Sequence, residues 1–420
     1  MTAIILSIGD ELVLGQTVDT NSAWLSQQLA TIGCDVVAHI TVSDDQRGIE
    51  QAILESVGRC DFLLISGGIG PTPDDLTRQA LATVMNVPLE LDARWLERLQ
   101  AFFTRLGRPM PESNQIQAML PRDTTIIDNP NGTACGIDAH YISGDQITRC
   151  RILVMPGVPK EMKAMFAASV LPIIAQSDAA SCILSRTLHT FGLGESWVSE
   201  KLGSLMERGR NPSVGTTVSG GMVSIRINAR FGREQAQREL DATTQACRDA
   251  LGDIIFGEDD DTLPSVVAQM LTSSRTTVAT AESCTGGLLA KMLTDIPGSS
   301  AYFTHGWVTY ANEAKILLGV PKELIDQYGA VSEQVAATLA LAAAVQGKSD
   351  YALAISGIAG PTGGTPEKPV GTVCIALAHA QNTPARTFRF PGDREMIRDR
   401  SAKMALTMLR FHLLGKPMPF

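Results

Sequence analysis

Apolar and polar positions follow two different periods along this chain, and the change from one to the other marks its elements. Apolar runs at 3–8, 35–42 and 62–66 predict strands, and the three-to-four spacing at 21–32 and 46–57 predicts helices between them. This βαβαβ order predicts a parallel sheet covered on both faces. Residues 151–155 read as another strand, Pro156-Gly157-Val158-Pro159 as a rigid turn, and 160–176 as a helix opened by Pro159. From about 177 the texture changes to strands at 183–190, 214–218 and 222–229 with helices at 195–206 and 234–251. That is a small α+β unit whose topology the pattern leaves open. The acidic stretch Gly257-Glu258-Asp259-Asp260-Asp261 reads as a solvated linker ending it. Beyond 262 the α/β texture returns, with helices at 264–273, 286–294, 332–345 and 393–413 and strands at 276–281, 306–310, 351–355 and 371–378.

Three domains are therefore expected, at 1–175, 176–257 and 258–420, in a chain of 420 residues that exceeds what one core usually organises. Hydrophobic residues at 44% and charged residues at 19% fit a folded globular protein and exclude a largely disordered one. The apolar runs are too short or too alanine-rich to span a bilayer, so no membrane partner is expected. Residues 1–10 lack a basic segment and read as a strand, not a signal peptide, which makes cytoplasmic localisation the expectation. A net charge of −9 without a basic tract argues against a nucleic-acid partner. The eight cysteines contain no Cys-x-x-Cys pair and the six histidines no His-x-x-x-His, so a zinc ribbon, a redox dithiol and a histidine-ligated metal are not indicated.

The chemistry concentrates at Ala281-Glu282-Ser283-Cys284-Thr285-Gly286-Gly287, a small-residue turn between a predicted strand and helix. Such a turn exposes a hydroxyl beside helix N-terminal N–H groups, which can hold an oxyanion. Lys315, 32 residues on, can act as the base a serine needs when it is desolvated. Both residues have plainer readings, Ser283 as a helix N-cap and Lys315 as a surface lysine. Cys284 is a rival nucleophile without a histidine near it in sequence. The glycine-dense loop 357–364 follows a strand and is a binding-loop candidate; 66–72 looks like 356–362.

Thr280–Gly287, Val308–Lys315, Gly329-Ala330-Val331-Ser332, 356–361 and Lys368-Pro369-Val370-Gly371-Thr372-Val373 together resemble the C-terminal domain of the CinA family, known as nicotinamide-nucleotide amidohydrolase. The resemblance implies hydrolysis of the carboxamide of nicotinamide mononucleotide to ammonia and nicotinic acid mononucleotide, without a cofactor. It implies Ser283 as nucleophile, Lys315 as base and Tyr310 as the group that steadies the proton transfer. Thr285, Gly286 and Gly287 would hold the oxyanion, Asn312 and Gly357 would line the substrate, and Arg394 and Arg398 would meet its phosphate. The arginines read equally as a charged helix face.

In the first domain Gly9-Asp10-Glu11-Leu12, Ser43-Asp44-Asp45 and 66–75 follow successive predicted strands, whose ends share one sheet edge. Carboxylates there can converge on a divalent cation and glycine N–H groups can cradle phosphate, although single acidic pairs are commonly caps. With Thr20-Asn21 and Met155–Met162, this half resembles the molybdopterin-binding fold of the MoaB and MogA proteins and the N-terminal domain of CinA proteins. The resemblance implies a metal-dependent ADP-ribose pyrophosphatase using magnesium or a similar cation, with potassium as a possible helper. Gly67, Gly68, Gly70, Thr72 and Lys160 would bind the nucleotide, and Asp10, Glu11, Asp44, Asp74 and Asp75 the metal. A pterin ligand stays open, as does a non-catalytic competence or recombination role. The middle segment resembles the KH-like domain of CinA proteins but lacks a Gly-x-x-Gly clamp with basic flanks, so RNA binding is not inferred. A homodimer is expected.

Overall fold

The computed structural model describes residues 1–144, 146–175, 182–380 and 382–420. It is mixed α/β, with an antiparallel α+β middle segment, and divides into two compact units, 1–184 with 229–239, and 185–228 with 240–420. The expected helix end at Gln176, the boundary after 175 and the change of texture at 177 lie outside the described residues.

The first unit includes the strands β1 (Thr2–Ile8), β2 (Asp35–Val42), β3 (Phe62–Ser66), β4 (Leu89–Leu91), β5 (Met119–Pro121), β6 (Thr125–Ile127), β7 (Gly136–Ile142) and β8 (Arg149–Met155). Six form a sheet in the order β2-β1-β3-β8-β7-β6, with β2, β1, β3 and β8 parallel and β7 and β6 antiparallel. Alternation sends Ile4, Leu6, Leu63 and Ile65 into one core cluster and Ala3, Ile5, Phe62 and Leu64 into another. Both faces of the central strands are therefore buried, which is why β1 and β3 read as nearly unbroken apolar runs. The expected helix 160–176 is Pro159–Met165 followed by a π turn at Phe166–Val170 and a further turn at Leu171–Ala175.

The middle sheet has the order β10-β11-β9-β12, from β9 (Cys182–Phe191), β10 (Ser213–Ser219), β11 (Met222–Phe231) and β12 (Ile255–Glu258). Gly257 and Glu258 were expected in a linker. They extend β12 instead, because their partners on β9 are remote in sequence: Gly257 pairs with His189 and Glu258 with Leu188.

The last sheet runs β14-β13-β15-β16-β17, from β13 (Val278–Glu282), β14 (Phe303–Val308), β15 (Tyr351–Gly357), β16 (Thr372–His379) and β17 (Ala385–Arg389). Strands β14, β13 and β15 are parallel, so their C-terminal ends meet at one edge. One face carries Val278, Leu353, Ile355, Val373 and Ile375, packed with Leu271 and Leu406 of helices Leu263–Ser274 and Arg394–Leu413. The other carries Ala279, Ala281, Ala352, Ala354, Ala376 and Ala378, and receives the alanine-rich helix Glu333–Gly347. No helix among the described residues is long and apolar enough to cross a membrane. All eight cysteines are buried and unpaired.

Candidate functional site

Ser283 is the first residue beyond β13, and its N–H donates to Ile355 of β15 at 2.9 Å. It does not cap the following helix. That helix, Leu288–Thr294, has Gly287 at its N-cap, and its amides are taken by the Glu282 carboxylate. The Ser283 side chain instead meets Lys315, whose Nζ lies 3.1 Å from Oγ. Lys315 is no surface lysine: it is 2% exposed, and it also donates to the carbonyls of Thr309 at 2.8 Å and Tyr310 at 3.2 Å. Burial disfavours its charge and holds its pKa below the ordinary lysine value, against the opposing influence of Cys284 and Glu313. As a neutral amine it can donate to both carbonyls while its lone pair accepts the serine proton; as ammonium it satisfies all three acceptors. Either state fits without rearrangement, so the arrangement can take up a proton and give it back.

The rival nucleophile is disfavoured by the same burial, which pushes the Cys284 thiol up to about 12. Gly357 packs against it, since a Cβ there would lie 3.1 Å from Cys284 Sγ. Two expectations need correction. Tyr310 contributes its carbonyl to Lys315, while its hydroxyl, 57% exposed as a residue, accepts from Arg394 at 2.7 Å. The hydroxyl has no bond to Ser283 or Lys315 among the described residues. The amides of Gly286 and Gly287 are committed, to the Ser283 carbonyl at 3.0 Å and to Glu282 at 3.1 Å. The Thr285 N–H has no partner among the described residues, and its fully buried Oγ1 has none either. Arg398 donates to the Thr285 carbonyl at 2.7 Å and so stands beside the turn, while Arg394 donates to the Gly360 carbonyl of the glycine loop at 2.8 Å. Asn312 is exposed at the start of helix Asn312–Leu318.

The first unit has a cavity of about 590 Å³ at the ends of its parallel strands. Its carboxylates are Glu11, Asp19, Asp44, Asp74, Asp75 and Glu161, and its lining contains neither lysine nor arginine. Asp44 has its pKa raised by burial and by Asp10, Glu11 and Asp74, with the Asp10 N–H opposing. The glycine loop is bonded internally: the Asp75 carboxylate accepts from Gly70 N at 2.7 Å and Thr72 N at 2.8 Å, and Gly67 N donates to Met155. Of the amides expected to cradle phosphate, only that of Gly68 lacks such a bond among the described residues; Asp75 takes those of Gly70 and Thr72, and the Met155 carbonyl takes that of Gly67. Lys160 is exposed on its helix and outside the lining. Nor do the five expected carboxylates form a metal centre. Asp75 is committed to the loop, and Asp10 and Asp44 accept from each other's main-chain N–H at 3.2 and 2.9 Å. Among the described residues no group of three or more His, Cys, Asp or Glu is arranged to hold an ion.

Three contributors were not foreseen. Glu282 is wholly buried beneath the Ser283 turn. Arg78, also buried, donates to the carbonyls of Ile69 and Gly70 and so holds the glycine loop. Asn21 donates to Ser66 Oγ at 3.0 Å and Gly157 O at 2.8 Å, tying two cavity walls. Asn21 and Glu282 lay in quoted motifs without a role of their own; nothing in the spacing marked Arg78.

Comparison with known proteins gives matches along the whole chain. Residues 4–176 match the model for a probable molybdopterin binding domain, 185–257 that for the damage-inducible protein CinA KH domain, and 260–413 that for the CinA C-terminal domain. A putative competence-damage inducible protein of Symbiobacterium thermophilum is 42% identical, covering 99% of each chain. A CinA-like protein of Geotalea uraniireducens is 41% identical over 98% of this chain and 97% of its own. Among solved structures, a competence/damage inducible protein from Agrobacterium tumefaciens is 42% identical, covering 36% of this chain and 93% of its own, with a TM-score of 0.35.

Proposed function

The chain belongs to the CinA family, and from that premise we propose that its C-terminal segment hydrolyses the carboxamide of nicotinamide mononucleotide. The observation that carries this reading is the buried Lys315 amine 3.1 Å from Ser283 Oγ. Ser283 attacks the amide carbon as its proton passes to Lys315. The oxyanion of the tetrahedral intermediate is met by N–H groups of the turn after Ser283, of which that of Thr285 has no partner among the described residues. Collapse breaks the C–N bond, the lysine returns the proton to the leaving nitrogen, and ammonia departs from an acyl-serine ester. Water then attacks the ester, losing its proton to Lys315, and nicotinic acid mononucleotide leaves as Ser283 is reprotonated. Tyr310 acts through its carbonyl by holding the amine, and Arg394 and Arg398 supply positive charge for the substrate phosphate. Ammonia release on incubation with the mononucleotide, lost in Ser283→Ala, is the expected result. Unchanged release from that variant removes Ser283 from the mechanism, and no release from the wild type favours a non-catalytic competence or recombination partner.

For the N-terminal segment we propose ADP-ribose hydrolysis, on the strength of the cavity at the parallel strand ends. Among the described residues no carboxylate group makes a preformed metal centre, and no step through a metal is assigned. Cleavage of ADP-ribose supplied with magnesium and potassium, lost in Asp44→Asn, is expected. A fluorescent pterin copurifying with the protein, with ADP-ribose left intact, supports the other ligand.

A further inference from the structure

We infer that Glu282 is the positioning residue that sets the distance between Ser283 and Lys315, an inference that rests on the amidohydrolase reading. Glu282 is the last residue of β13 and 0% exposed. A buried carboxylate is costly unless its charge is met by donors. Here three main-chain amides meet it: Gly287 at 3.1 Å, Leu289 at 3.0 Å and Ala290 at 2.8 Å. These are the first turn of helix Leu288–Thr294, where the helix dipole favours negative charge. An anion inside the protein thus does what a serine or aspartate cap normally does from the adjoining residue. The arrangement releases Ser283 from capping and leaves its hydroxyl for Lys315.

The same residue also reaches the lysine. Thr309 N–H donates to the Glu282 carbonyl at 2.7 Å, and the Thr309 carbonyl in turn accepts from Lys315 Nζ at 2.8 Å. Glu282 is covalently joined to one reacting partner and one residue removed, through hydrogen bonds, from the other. Its side chain locks the helix that follows the serine, and its main chain locks the residue that holds the lysine. A shift of Glu282 therefore changes the Nζ–Oγ separation directly. It touches no reacting atom, so its effect falls on positioning and not on substrate affinity.

The test is Glu282→Gln in the full chain, which keeps the shape but replaces one acceptor oxygen with a donor nitrogen. Loss of orientation of this kind lowers rate by about 100-fold. We expect kcat for ammonia release to fall by about that factor while KM changes by less than about threefold. Glu282→Asp retains the charge at shorter reach and should recover part of kcat; it also serves if the glutamine variant does not fold. Labelling of Ser283 by a fluorophosphonate should slow in parallel, and hydrogen exchange at the amides of 287–290 should quicken. Equal kcat in wild type and Glu282→Gln overturns the inference while amide hydrolysis stands. Absence of ammonia release from wild type overturns the amidohydrolase reading instead. In that case faster exchange with slower labelling supports the positioning role, and unchanged exchange and labelling overturn it.

Discussion

Lys315 shows how burial favours the neutral form of a lysine, the form that can accept a proton. A buried lysine loses its proton at lower pH than the same lysine in the unfolded chain. Only the neutral amine can accept from Ser283, so kcat/KM should rise with pH through a single ionisation below the usual lysine value of about 10.4. Lys315→Met should abolish that limb and lower kcat by about 10²–10⁴-fold, measurable by ammonia release across pH 6 to 10. Stability follows the same sign. Between the folded and unfolded pKa values the unfolded chain binds more protons, so stability rises with pH there and the burial cost is greatest below the folded value. Ser283 and Lys315 were legible in sequence as candidates because side-chain type alone marks a hydroxyl and an amine, and the structure brings the two within 3.1 Å. Their partners were not. Whether Tyr310 offers a carbonyl or a hydroxyl is decided by how β14 ends, and Glu282 looks like any solvated glutamate until its amides are in view.

The elements most legible in sequence were those with a complete local signal. The strands at 35–42 and 62–66 and the helix at 46–57 fall where their patterns place them. The short strands β4, β5 and β6 have three residues each and no period to read, and edge strand β17 alternates too weakly to stand out. Helix Glu333–Gly347 has an element-scale consequence of its own. Ala336, Leu339, Ala340 and Ala343 are buried with the alanine face of the sheet, and a Cβ on Gly347 would lie 3.1 Å from that of Ala279. There is no room between these layers. Ala340→Leu should therefore destabilise by about 1–3 kcal/mol through overpacking, seen as a lower midpoint in thermal unfolding. Leu341→Ala, at a position 44% exposed, should leave that midpoint nearly unchanged.

At the scale of the whole chain, fold class and family were legible because the motifs are spread over all of it, from Gly9 to Arg398. The interior bonding of the glycine loop was not, since Asp75 and Arg78 reveal their contacts only once the loop has closed. A chain of net charge −9 presents two sites of opposite local sign, arginines at the Ser283 turn and the glycine loop and six carboxylates around the first unit's cavity. Dissolved ions weaken attraction and repulsion alike. Raising ionic strength from about 0.01 to 0.15 M should slow capture of an anionic mononucleotide at the arginines, lowering its kcat/KM. Over the same range ADP-ribose should bind faster to the acidic cavity, because salt screens the field that repels it. Stopped-flow binding at several salt concentrations would read both slopes. An acid-walled cavity thus makes the cell's own electrolyte an aid to the entry of an anionic ligand.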